Sequence, residues 1–293
     1  MTLLAYQIFQ TVVEQGSFQR AAEVLNLTPS AISHAVSTAE KELGFPLFNR
    51  NKNGVTLTSY GENLQPYILT VLNSDAKLQQ AILEFNGLTH GSVKIGTFSS
   101  ACNNFVPDIV TSFSKLHPSI EIKIYQGTYD DVYNWIKTGV VDLGFLSESS
   151  CKDLPIIPLY KDELLCVTPK SFRSKSKKYI ELEELTNQKF VSQRESTDAD
   201  IQNIFQKHQL SIRSSCHVVD DLSTIAMVAA GLGVCIMPKL VMQSIPYDVN
   251  MYSLKPAEHR TIGICALNTE TMAPAVKTMH KHILKYFQKL SES

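Results

Sequence analysis

Gly16-Ser17-Phe18-Gln19-Arg20-Ala21-Ala22-Glu23-Val24-Leu25-Asn26-Leu27-Thr28-Pro29-Ser30-Ala31-Ile32-Ser33-His34-Ala35-Val36 reads as two helices joined by a very short turn. Ser17 is placed to cap the first helix, whose Phe18, Ala21, Ala22 and Leu25 form one apolar stripe. Thr28 is placed to cap the second, and Pro29 falls at its first position, where a missing N–H costs nothing. Ala31, Ile32, Ala35, Val36 and Ala39 make the second stripe, and Leu43-Gly44 closes the helix. What the second helix leaves outward is small or hydrogen-bonding: Ser30, Ser33, His34 and Ser37, near its N-terminal end. A helix-turn-helix presents that end to the major groove, where short polar side chains allow close approach to base edges. An ordinary helical hairpin with a solvated serine-rich face satisfies the same spacing.

Working outward, Leu47-Phe48-Asn49-Arg50-Asn51-Lys52-Asn53-Gly54-Val55-Thr56-Leu57-Thr58 predicts two short strands around an Asn-Gly turn, a wing that carries Arg50 and Lys52. The run from Ser17 to Thr58 resembles the winged helix-turn-helix of the LysR-type transcriptional regulators. The resemblance rests on Ala21-Ala22, Leu25, Pro29, Ser33, Glu40, Leu43-Gly44, Leu47-Phe48, Arg50 and Leu57-Thr58. It implies that Ser17, Thr28, Pro29, Ser30, Ser33, His34 and Ser37 lie against bases or nearby phosphates, with Arg50 and Lys52 on the backbone or in the minor groove. The family often has a second basic residue three positions after the first; here that position is Asn53, with Lys52 beside it.

At 293 residues the chain is long enough for two or three domains. No apolar run reaches membrane-spanning length, and the first ten residues show neither a basic start nor a cleavage site. The expectation is a cytoplasmic protein with no membrane partner. Net charge is −1. In the first 58 residues Arg20, Lys41, Arg50 and Lys52 cancel Glu14, Glu23, Glu40 and Glu42. A DNA-binding domain usually carries a basic footprint, so the balance predicts modest affinity per domain and reliance on pairing of two chains. The six cysteines are scattered, with neither a Cys-x-x-Cys pair nor a zinc-finger spacing. Cys166, Cys235 and Cys265 lie in apolar strand-like runs and read as buried free thiols.

Leu3 to Glu14 predicts a helix that packs behind the pair. Ser59 to Phe85 predicts a long one, with Tyr60, Leu64, Tyr67, Val71, Leu78, Ala81 and Phe85 at steps of four and three. Ile68, Leu72 and Ile82 widen that stripe. It faces either its own chain or a second copy of itself. Pro66 should kink the first turns or move their start. Asn86 to Gly91 reads as a hinge.

From Ser92 short strands alternate with helices, which predicts βα units and a largely parallel sheet. The strands expected are Val93–Gly96, Ile120–Tyr125, Val140–Leu146, Leu164–Val167, Phe190–Val191, Cys216–Val219, Val234–Met237, Met251–Leu254 and Thr261–Leu267. Between them fall helices at Phe105–Leu116, Asp130–Thr138, Ala199–His208, Leu222–Ala230 and Ala273–Leu290. Lysine-rich Ser171 to Tyr179 marks entry to a second lobe. Val140 to Phe145 and Ala229 to Pro238 resemble two signatures of the family's effector-binding domain, which is similar to periplasmic solute-binding proteins.

The fold expected is therefore α+β multidomain: a winged helix-turn-helix at 1–58, a linker and dimerisation helix with hinge at 59–90, and a two-lobed α/β effector domain at 91–293. Lobe I takes 91–167 and 260–293, and lobe II takes 168–259.

Ligands in open α/β sheets collect at the carboxyl ends of strands. There lie Ser99, Ser100 and Cys102 after the first strand, Thr128 after the second, Ser147 after the third, and Gln193 in the second lobe. Ser99 and Ser100 either cap a helix or, as the resemblance implies, meet an effector with Thr128. A small anionic metabolite, organic or inorganic, is the expected ligand, and no other cofactor is expected. Cys102 near a helix start would favour a thiolate, which opens a redox-sensing alternative. Gly-x-Ser-x-Gly, Gly-rich phosphate-loop and His-Glu-x-x-His motifs are all missing, so an enzyme is not expected. No pair of histidines has convincing metal-ligand spacing, and His280 and His282 read as a solvated helix face. The less favoured alternative is a cytoplasmic binding protein or enzyme without DNA binding. The resemblance further implies a homodimer or dimer of dimers that contacts double-stranded DNA and RNA polymerase.

Overall fold

The computed structural model describes residues 1–51, 54–85, 91–176, 178–193, 199–243 and 245–292. Lys52, the turn residue Asn53 and residues 86–90 of the expected hinge lie outside them, and its last residue, Gly91, begins a strand instead. The chain forms two compact units, taken in turn.

The first unit begins with α1 (Leu3–Gln15), α2 (Phe18–Leu25) and α3 (Pro29–Leu43). Each boundary has a local cause. Ser17 Oγ accepts from the Arg20 N–H at 3.5 Å, and Thr28 Oγ1 from the Ala31 N–H at 3.2 Å, so both expected caps form. Gly44 ends α3 at φ 82°, a left-handed turn that a Cβ would strain. Ile8, Phe9 and Val12 of α1 pack on Ala21, Ala22, Ile32 and Val36, the two alanines letting the helices approach closely. β1 (Phe48–Asn51) and β2 (Gly54–Leu57) pair antiparallel as the wing. Glu40 anchors it: one carboxylate oxygen accepts the Leu47 and Phe48 N–H groups at 2.8 and 3.2 Å.

α4 (Ser59–Phe85) starts where expected and runs through Pro66, so the proline does not displace its start. Thr58 Oγ1 accepts the Gly61 N–H at 3.1 Å and donates to the Pro46 carbonyl at 2.8 Å. Only one face of this helix is filled by its own chain. Leu64, Ile68 and Leu72 pack on the three-helix core, whereas Tyr67, Val71, Leu78 and Ile82 are exposed. Tyr60 is also exposed, although its ring stacks on Phe45 at 4.7 Å.

The second unit contains β3 (Gly91–Thr97), α5 (Ser99–Asn104), α6 (Val106–Leu116), β4 (Ile120–Gln126), α7 (Tyr129–Thr138), β5 (Leu143–Ser147) and β6 (Ile156–Pro169). There follow β7 (Tyr179–Glu181), α8 (Leu182–Leu185), β8 (Lys189–Gln193), α9 (Ala199–Lys207), β9 (Arg213–Val218), α10 (Asp221–Ala229), β10 (Cys235–Pro238) and α11 (Lys239–Met242). β11 (Val249–Lys255), β12 (His259–Cys265) and α12 (Pro274–Glu292) complete it. The main sheet runs β4-β3-β5-β12-β6-β11-β7, with β10 also on β6, and β8 pairs with β9 apart from it.

Several expectations are corrected here. The sheet is mixed rather than largely parallel: β3 is parallel to β4 and β5, but β12 is antiparallel to both β5 and β6, and β10 and β11 are antiparallel to β6. The cause is that the chain leaves the first lobe on β6 and returns on β12, so two crossing strands run in opposite directions. β6 is 14 residues long, and Pro158 and the charged run Lys161-Asp162-Glu163 break its apolar pattern, so only Leu164 to Val167 read as a strand. Leu164 to Val167 belong to the second lobe's core, so the crossing falls before Leu164 rather than after Val167. β5 begins at Leu143 because Asp142 turns onto β3, its carboxylate accepting the Lys94 N–H at 2.9 Å. The helix expected from Phe105 is preceded by a separate turn, α5. His280 and His282 are half-buried rather than solvated. His282 Nε2 lies 2.8 Å from Ser112 Oγ, and burial lowers the pKa of both imidazoles.

Candidate functional site

The outward face of α3 carries Pro29, Ser30 and His34 exposed, with Ser33 and Ser37 half-buried. Ser17 and Thr28 cap helices, and the Thr28 and Ser30 hydroxyls lie 3.0 Å apart. Arg50 does not project freely from the wing. Its guanidinium lies 4.7 Å over the Phe18 ring, 3.4 Å from both Ser33 Oγ and Ser37 Oγ, and 3.5 Å from Glu40. These are long contacts, each weak alone. Together they hold the wing arginine beside the α3 serines. His34 sits at the border of this face, lining a shallow pocket with Leu4, Ala5 and Thr38.

A second candidate site is a cavity of about 250 Å³ in the two-lobed unit. Of the residues expected there, Ser99, Ser100, Thr128 and Gln193 line it, together with Phe98, Gln126, Tyr129, Asp131, Asp220, Asp221 and Arg260. Ser147 lines a neighbouring cavity of about 270 Å³ instead, with Ser149, Asp200 and Lys207. Cys102 is on the wall of neither. It is half-buried and burial raises its thiol pKa, the reverse of the thiolate-favouring setting expected at a helix start.

Arg260, which sequence reasoning missed, is a buried cation in the lining. Only 5% of its side chain is exposed. Its Nε and Nη2 donate to Asp162 Oδ2 at 3.0 and 2.8 Å, Nη2 also to Ser100 Oγ at 2.8 Å, and Nη1 to the Tyr129 hydroxyl at 2.8 Å. Burial opposes the cation, but Tyr129, Asp162 and Asp200 outweigh it and raise the arginine above its ordinary range. Burial raises the Asp162 carboxyl too, while Arg260 pulls it back. The only sequence signal was a cation opening an apolar strand, Arg260 before Ile262 and Ile264.

Three carboxylates also line the cavity. Asp131 Oδ2 accepts the Thr128 backbone and hydroxyl at 2.8 and 2.7 Å, Asp221 Oδ1 accepts Gln193 Nε2 at 2.7 Å, and Asp220 Oδ1 accepts the Ser223 N–H at 2.8 Å.

Two family models match this chain. Residues 3–62 match "Bacterial regulatory helix-turn-helix protein, lysR family", and residues 86–288 match "LysR substrate binding domain". The chain belongs to the LysR family of transcriptional regulators.

Among curated relatives of this LysR-type protein is the uncharacterized HTH-type transcriptional regulator YvbU of Bacillus subtilis (strain 168). It is 28% identical over 280 residues, covering 94% of this chain and 96% of the relative. A full-length OxyR variant from Pseudomonas aeruginosa superposes with a TM-score of 0.75 at 22% identity, covering 97% of this chain and 94% of that one. The effector-binding domain of QuiR in complex with shikimate covers 68% of this chain and 98% of that one, with a TM-score of 0.61 at 23% identity. Both structures share the fold. The α3 face thus belongs to the DNA-binding domain of a LysR-type regulator, and the cavity to its substrate-binding domain. Among the described residues no helix is long and apolar enough to cross a membrane.

Proposed function

We propose that this regulator reads duplex DNA with the N-terminal half of α3 and answers to a small polar acid bound in the cavity beside Arg260. The observation that carries the second part is a protonated guanidinium, 95% removed from solvent by its neighbours, set between Ser100 and Tyr129 on a cavity wall. Tied to Asp162, its charge is largely neutralised, so it orients an acceptor more than it attracts an anion from a distance. The three carboxylates in the same lining repel a purely anionic ligand. The ligand therefore carries an acidic or carbonyl oxygen toward Ser100 and Arg260, and hydroxyl or ammonium donors toward Asp131, Asp220 and Asp221. About 250 Å³ is below the ~300–1,000 Å³ of pockets for drug-sized ligands, which suits a metabolite of few carbons. The shikimate bound by the QuiR domain, a hydroxylated acid by its chemistry, supports this class.

The remaining reading follows the family. Residues 1–58 form the DNA-reading domain, 59–90 the linker and 91–293 the effector domain. The exposed stripe of α4 pairs two chains, and a dimer of dimers contacts RNA polymerase in the cytoplasm, with no catalytic role. Calorimetry tests the site. A panel of three- to six-carbon amino acids, and the hydroxy acids of the same skeletons, is titrated into wild type, Ser100→Ala and Arg260→Gln. Binding to wild type that weakens at least tenfold in both variants supports the site. Equal binding in all three removes Ser100 and Arg260 from it.

A further inference from the structure

Asp200 opens the first turn of α9, in the second lobe, yet its hydrogen-bond partners lie in the first. Oδ1 accepts from Ser147 Oγ at 2.5 Å and Ser149 Oγ at 2.6 Å, and Oδ2 accepts from the Tyr129 hydroxyl at 2.9 Å. Ser147 ends β5, Ser149 sits in the single 3-10 turn that follows, and Tyr129 opens α7. Three hydroxyls of one lobe thus converge on one carboxylate of the other. Ser147 is fully buried and Tyr129 is 6% exposed, so neither hydroxyl has water to replace a lost acceptor. The Tyr129 oxygen also accepts from Arg260 Nη1, and Arg260 donates to Ser100 on the cavity wall. A continuous chain of donors therefore runs from the cavity through Arg260 and Tyr129 to Asp200, and neighbouring bonds in such a chain polarise one another.

We propose that Asp200 is the positioning residue that clasps the two lobes and, through Tyr129 and Arg260, makes their closure responsive to what occupies the cavity. A ligand oxygen that takes hydrogen bonds from Arg260 competes with Tyr129 for them. That changes the strength of the Tyr129–Asp200 bond, an interlobe contact that the ligand itself does not make. The clasp is where a ligand of a few atoms gains different free energies in two lobe arrangements, which any ligand-driven shift requires. The responsive part rests on the cavity being the effector site; the clasp itself does not.

Hydrogen exchange on the full chain without ligand separates the two. In Asp200→Asn the amide nitrogen faces a hydroxyl donor where an acceptor stood. Backbone amides of 148–151 and the first turn of α9 should then exchange at least tenfold faster, with the second lobe's core unchanged. Tyr129→Phe should do the same more weakly. Adding it to Asp200→Asn should give less than the product of the two effects, because both break one bond. Unchanged exchange at 148–151 in Asp200→Asn would overturn the clasp. So would faster exchange spread through the whole second-lobe core, the mark of a merely structural role. A calorimetric panel in which nothing binds would remove the effector reading and leave the clasp standing.

Discussion

At the scale of single residues, the two halves of the chain differ in how their key side chains are held. Arg50 reaches over the face it helps to present, against Ser33, Ser37 and the Phe18 ring. On the proposed DNA-reading face, replacing it would remove a cation from beside the phosphates and loosen the wing. Arg50→Ala should weaken binding to matched and scrambled duplexes alike, by about tenfold or more, in gel-shift titrations. Ser33→Ala and His34→Ala should instead change the ratio between the two duplexes, because base-edge contacts specify and phosphate contacts position. A uniform loss in all three variants would place Ser33 and His34 away from the bases. Among the carboxylates lining the cavity, Asp220 caps α10, and the Ser223 N–H bonded to its carboxylate holds it below the usual carboxylate pKa of 3.8. A depressed folded-state pKa stabilises the fold above the unfolded value and loses that contribution as pH falls through the folded one. Asp220→Asn keeps the cap oxygen but not the charge. Thermal unfolding should therefore match wild type less well near pH 6 than at acid pH, and the difference should shrink as the wild-type carboxylate takes up its proton. Asp220→Ala should cost roughly 1 kcal/mol at neutral pH.

At the scale of elements, helices were the legible part of the sequence and the crossing strands were not. Ser17, Thr28, Pro29 and Gly44 act within a turn or two of themselves, so their spacing decides their role. β6 and β12 alternate partners along their length, and Arg260 meets Asp162 only after those strands pair, 98 positions apart in the chain. Nothing local in the sequence encodes that meeting. Ser147 shows the same limit. Its place at a strand end was readable, but which side of Arg260 it faces was not. α4 illustrates a sequence stripe broader than one interface: its Ile68 side is filled by its own chain, and its Tyr67, Val71, Leu78 and Ile82 side is open. The two faces should respond differently to mutation. Ile68→Ala should destabilise the first unit by about 2–5 kcal/mol, read as an earlier urea midpoint. Leu78→Glu with Ile82→Glu should leave stability within about 0.5 kcal/mol, as exposed substitutions do, yet convert the assembly to single chains by light scattering. Gly61 joins helix to wing: a Cβ there would collide with the Leu47 carbonyl oxygen, so Gly61→Ala should lower the unfolding midpoint although it improves helix propensity.

At the scale of the whole molecule, near-balanced charge and a shared second-unit sheet place the regulation in coupling rather than in raw affinity. With net charge −1 and matched acids and bases in its first 58 residues, one chain has little long-range pull on DNA. Two chains double the contacts, so the Leu78→Glu, Ile82→Glu pair should lose duplex affinity far beyond any loss of fold. In the second unit β6 pairs with β12 along its first half and with β11 along its second, so a change at Arg260 is felt on both sides of the crossing. Ligand and DNA then compete or cooperate only through the lobe arrangement each prefers. Thermodynamic linkage makes this reciprocal: whatever factor the ligand applies to duplex affinity, the duplex must apply to ligand affinity. Calorimetry of the same acid with and without saturating duplex, beside gel shifts with and without saturating acid, should return one factor from both directions, on the order of 5–150-fold. In Asp200→Asn, where the clasp no longer reports on the cavity, that factor should fall toward one while the acid still binds. An unchanged factor in Asp200→Asn would mean that the coupling travels by the crossing strands alone.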